Sequence, residues 1–135
     1  MPLDVLTLAL TPGQTSFAFT VPGHQIWRPR SVFARAQRVT GGAPSRAYSL
    51  NIANGDTVLA IVGADDNGAE PGFCDITWAN TPAASIGVGA VGITVAPLGP
   101  LSLPAGYVIT ANIEFAAAGD QWVDAVCWLD YDYSA

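Results

Sequence analysis

The sequence predicts an all-β fold: a single antiparallel β-sandwich, jelly-roll-like, of about eight to ten strands, with residues 1–135 forming one domain. Three observations carry that expectation. Apolar residues recur at every second position in segment after segment, and no stretch shows convincing helical periodicity. Gly, Pro, Asn and Asp turn signals fall at intervals of roughly 8–12 residues. The chain has 135 residues, 50% hydrophobic and 12% charged. That size fits one core, and the composition is the reverse of a disordered chain.

The elements follow in order. Leu6, Leu8 and Leu10 alternate with Thr7 and Ala9, and Thr11-Pro12-Gly13-Gln14 turns the chain into Phe17, Phe19 and Val21. Pro22-Gly23 ends that second strand, a third covers about 31–40, and Gly41-Gly42-Ala43-Pro44 forms a loop. Residues 46–52 set Tyr48, Leu50 and Ile52 against Ser49 and Asn51, and Asn54-Gly55 then favours the positive φ of a tight hairpin. Strands are expected at 57–62, 73–78, 85–95, 98–103 and 107–115, with Pro104-Ala105-Gly106 as a corner before the last of these.

The final strand, about 121–133, is the most informative. One face carries Val123, Ala125, Cys127, Leu129, Tyr131 and Tyr133 and reads as core. The other carries Trp122, Asp124, Val126, Trp128, Asp130 and Asp132. Two tryptophans among three carboxylates fit partial cover by a neighbouring subunit, because interfaces favour aromatic anchors. A tryptophan packed under a loop of its own chain fits equally.

Charge is divided unevenly. Residues 1–46 hold all five Arg against Asp4, net +4, and residues 47–135 hold ten acids and no base, for the overall −6. Without lysine and with an acidic balance the chain is a poor partner for a phosphate backbone, so no direct nucleic-acid binding is expected. The cluster Arg28, Arg30, Arg35 suits pairing with acids of the same chain, or of a partner or neighbouring copy. The other reading is an exposed strand simply decorated with arginines. Cys74 and Cys127 alternate in step with apolar neighbours and read as buried thiols. The start of the chain lacks a basic segment followed by a long apolar run, which points to synthesis in the cytoplasm. The most apolar stretch, 83–103, is interrupted by Gly and Pro, so no membrane span is expected.

Chemistry-bearing patterns are few. His24 lies in a turn and reads as exposed; there is no nucleophile elbow and no phosphate-binding glycine loop. Asp130 and Asp132, about 6.5–7 Å apart along a strand, overlap the spacing of an inverting glycosidase pair but also fit ordinary outward-facing acids. Asp65, Asn67 and Glu70 lie in an oxygen-rich loop that could hold a cation weakly, though the spacing is not that of an EF-hand and a polar hairpin tip is the more ordinary reading. No enzyme activity, resident metal or cofactor is expected.

Three segments, Leu103-Pro104-Ala105-Gly106-Tyr107, Gly119-Asp120-Gln121-Trp122 and Val126-Cys127-Trp128, together resemble the ends of small β-sandwich virion proteins of tailed bacteriophages: head-decoration, fibre or tail-associated proteins. The stretch from Arg46 through Tyr48, Leu50 and Ile52 to Asn54-Gly55 is similar to the element that precedes them. The matches cover roughly a third of the chain and encode turns and strands. What the resemblance implies is an architecture and a virion role: a capsid decoration or cementing protein, homo-oligomeric with a trimer favoured, bound to the major capsid protein or other virion proteins. Trp122, Trp128, Arg28, Arg30 and Arg35 are the expected interface residues. The alternative is a tail-fibre or baseplate module that binds host glycans.

Overall fold

The computed structural model describes residues 3–39, 47–65, 72–79, 93–114, 116 and 118–133. Ten strands are assigned within them: β1 (Leu3–Thr7), β2 (Ser16–Thr20), β3 (Gln25–Arg38), β4 (Ala47–Asn54), β5 (Thr57–Asp65), β6 (Gly72–Ala79), β7 (Ile93–Pro97), β8 (Leu103–Pro104), β9 (Val108–Glu114) and β10 (Gln121–Tyr133). They form two sheets packed as a β-sandwich. One has the order β1-β10-β3-β6-β7, with β8 alongside β3, and the other the order β2-β9-β4-β5. All pairs among the described strands are antiparallel except β6 with β7, which is parallel.

Alternation explains the core. Val32, Ala34 and Ala36 of β3, Cys74, Ile76 and Trp78 of β6, and Ala125, Cys127 and Leu129 of β10 face inward from the larger sheet. Phe17 and Phe19, Tyr48, Leu50 and Ile52, and Ile109, Ala111 and Ile113 face them from the smaller one. Each large side chain removed from water contributes roughly 1.5–3 kcal/mol, so this two-sided layer is the main source of stability. Cys74 and Cys127 are free and buried.

The turn motifs act as latches. Gly106 has φ +93, and a Cβ there would stand 3.2 Å from the Asn54 side chain. Its N–H donates to Val21 O at 3.1 Å, and Val21 N–H donates to Tyr107 O at 2.9 Å. Gly119 has φ +91, with Val39 3.0 Å from where a Cβ would lie. Asp120, 2% exposed, accepts from Val39 N–H at 3.0 Å. Gln121 accepts from Gly13 N–H at 2.6 Å and donates to Gln37 at 2.8 Å, and the Trp122 indole donates to Thr15 O at 3.0 Å.

Several expected boundaries change. β1 ends at Thr7, but Leu6, Leu8 and Leu10 still pack on the core. β3 begins at Gln25, before the expected residue 31, and runs through Pro29. Proline is tolerated in this central strand because it sits at a bulge. Trp128 pairs with Ser31 and Leu129 with Pro29, leaving Arg30 as the extra residue. On the other side β6 takes up pairing at Ser31, whereas β8 pairs only with Ile26 and Trp27. Residues 98–102 do not continue as a strand, because Gly99 with φ +78 and Pro100 break the ladder. Of the strand expected at 85–95, residues 85–92 lie outside the described residues.

Candidate docking face

Trp122 corrects the expected faces of the last strand. Register shifts between Trp122 and Asp124, so that Val123 is an extra residue on β10. A bulge of one residue inverts the alternation, and Trp122 joins Ala125, Cys127 and Leu129 on the inner face. It is 1% exposed, edge-on to Phe17 at 5.2 Å and tilted against Tyr48 at 5.6 Å. Trp122 is thus a core residue and contributes nothing to an outer face. Tyr133, expected in the core, is 69% exposed and edge-on to Tyr131 at 5.7 Å.

Trp128 is outward and half-buried, as expected. The antiparallel register places it between Val5 of β1 and Ser31 of β3, and places Val126 between Thr7 and Phe33. Val5, Trp128, Val126 and Phe33 therefore form an apolar band across three strands on the outer face of the larger sheet. Phe33 is a member that was missed. Its signal was available, since it alternates with the inward Val32 and Ala34.

Ionic rows border the band on both sides. On one, Arg30 Nε donates to Asp130 Oδ2 at 2.8 Å, and the exposed Arg28 lies opposite Asp130 across the ladder. Arg28 and Asp130 also line a shallow cavity of about 330 Å3 with Pro29, Pro100, Leu101 and Ser102. On the other side, Arg35 makes a two-pronged contact with Asp75, 2.7 Å from Nε and 3.0 Å from Nη2. Asp124 lies opposite Arg35 on the neighbouring strand. The Asp75 hydrogen bond and charge raise the Arg35 pKa further above its ordinary value, with a smaller contribution from Asp124. The guanidinium also stands 5.4 Å over the Phe73 ring.

The arginine cluster is accordingly split into two fixed pairs flanking an apolar centre. An apolar middle with a polar, charged rim is the anatomy of a protein-binding patch. The remaining candidates do not join it. Asn67 and Glu70 lie outside the described residues, and of Asp65 only its place at the end of β5 is described. His24 is exposed, with φ +64 in its turn. Asp130 is engaged by Arg30, whereas Asp132 is exposed. Among the described residues no group of three His, Cys, Asp or Glu side chains gathers to hold a metal ion, and no helix is long and apolar enough to cross a membrane.

No family model, curated protein or solved structure matches the chain.

Proposed function

We propose that this chain is a bacteriophage virion structural protein: a jelly-roll-like decoration or cementing subunit that oligomerises, as a trimer, and binds the outside of the head. It is made in the host cytoplasm and incorporated into the virion. The observation that carries the reading is the outer band of Val5, Trp128, Val126 and Phe33 between the Arg30–Asp130 and Arg35–Asp75 pairs. The resemblance of the Leu103–Tyr107 and Gly119–Trp122 turns to those of phage virion proteins supports the choice of particle. The mechanism is stabilisation by mass action. A subunit that binds only the assembled shell lowers the free energy of the shell relative to its dissociated parts.

Host-glycan recognition calls for several exposed rings to stack sugars. Trp27, Trp78 and Trp122 are buried, which leaves Trp128 as the tryptophan at the surface, and the exposed rings Tyr133 and Phe73 lie opposite Gln25 and Gln37, near the two ends of β3. That dispersal favours the protein-binding reading.

The test is cosedimentation of the purified chain with separated heads and tails of the phage that encodes it, combined with mass measurement in solution. Saturable binding to heads by a trimer is the expected result. Binding confined to tails, or a signal on a glycan array, would replace decoration with host recognition.

A further inference from the structure

The two lateral ends of the sandwich are complementary. At one end the sheets part between β1 and β2 and leave a cavity of about 340 Å3. Its walls include Leu6, Leu8, Phe19, Trp27 and Leu129, with Thr20 and Asp4 also lining it. No lining residue carries a positive charge, so an anionic ligand has no counter-charge there. At the other end β5 terminates the smaller sheet, hydrogen-bonded to β4 on one side only among the described strands. Ile61 and Val58 lie opposite the outward-facing Asn51 and Ala53, and Leu59 is the extra residue of a bulge. They are 67%, 53% and 47% exposed. Between Asp56 and Asp65 the strand has no charge and no proline, two of the devices that normally keep an edge strand from pairing.

We propose that the β5 edge of one copy docks at the β1–β2 mouth of the next, with Leu59 and Ile61 filling the cavity. A second copy is the occupant because the chain carries both halves: an uncharged aliphatic edge, and an apolar cavity at the opposite end bordered by two edge strands. The β5 run carries no charge, so copies of net charge −6 approach one another through an uncharged surface. The contact is head to tail, which generates a ring where the rotation closes. It deepens the oligomeric part of the function proposed above and rests on that part alone.

The test uses full-length chains carrying either Ile61→Cys or Thr20→Cys, treated with a short bismaleimide separately and mixed. Both sites are exposed, and the native thiols are buried, with that of Cys127 pushed up to about 12, so they stay silent. The expected result is a cross-linked dimer in the mixture, at least about tenfold above either protein alone and removed by Leu59→Asp in the Ile61→Cys chain. Self-cross-linking of Ile61→Cys at the level of the mixture would mean two-fold edge pairing and overturn the proposal. So would no cross-link between chains of unchanged Tm. Should either cysteine variant fail to fold, sedimentation equilibrium of Ile61→Asp decides: a fall to single-chain mass supports the contact, and an unchanged oligomer overturns it. Head-to-tail cross-linking without binding to phage heads removes the decoration reading and leaves this contact standing; binding to heads by a chain that does not cross-link does the reverse.

Discussion

Trp122 and Trp128 share one strand and are an even number of residues apart, yet one is sealed in the core and the other lies on the outer face. The whole difference is Val123, the unpaired residue of a bulge. Trp122 spends its aromatic surface on Phe17 and Tyr48 and its N–H on Thr15. Trp128 lies in an apolar band bordered by ion pairs. The comparison teaches that residue type did not assign these roles; backbone register did. The core and the proposed docking face lie on opposite sides of a single sheet.

The strongest way to break the comparison is Trp122→Ala. Removing a fully buried indole from this core is expected to cost about 3–5 kcal/mol, read by urea denaturation. Trp128→Ala should leave stability within about 1 kcal/mol of the parent. Equal losses would mean that the two faces are not distinct.

Alkali probes the same inner face. Burial holds the Cys127 thiol protonated until about pH 12, against 9.0 for its ordinary value. Its folded pKa is raised, so its contribution is complete below about pH 9 and is lost as pH rises toward 12. The full loss is roughly 4 kcal/mol; it should be absent from the stability curve of Cys127→Ala and so appear in the difference between the two curves.

Asp120→Ala sharpens the account of the turn that sets the β10 register. It leaves Val39 N–H without its carboxylate acceptor, and a loss of about 1–3 kcal/mol in thermal or chemical unfolding is expected. The smallest effect on stability should come from Arg30→Ala, whose side chain is 56% exposed; exposed pairs contribute about 0–1 kcal/mol. Its effect is expected on the docking face instead, as a steeper fall of shell binding with salt for the parent than for the variant.

Much of the fold was legible in the sequence because alternation and turn chemistry are local. Gly106 and Gly119 sit at the positive-φ corners that their motifs indicated, and Tyr48, Leu50 and Ile52 all face the core. The bulges were not legible. A single extra residue such as Val123, Arg30 or Leu59 leaves no local signature, yet it inverts every face beyond it. Pro29 hid the first half of β3, since its tolerance depends on which strands flank it. The arginine cluster was visible as composition. Its division into Arg30–Asp130 and Arg35–Asp75 was not, because those partners come from other strands far along the chain.

The central claim is that the face bearing Trp128 holds this protein on its particle while Trp122 holds the protein together. The most direct measurement is the number of copies of Trp128→Ala bound per phage head, by cosedimentation, for chains whose unfolding midpoint matches the parent. The account requires occupancy to fall well below that of the parent at equal concentration. Parental occupancy by the folded Trp128→Ala chain would contradict it.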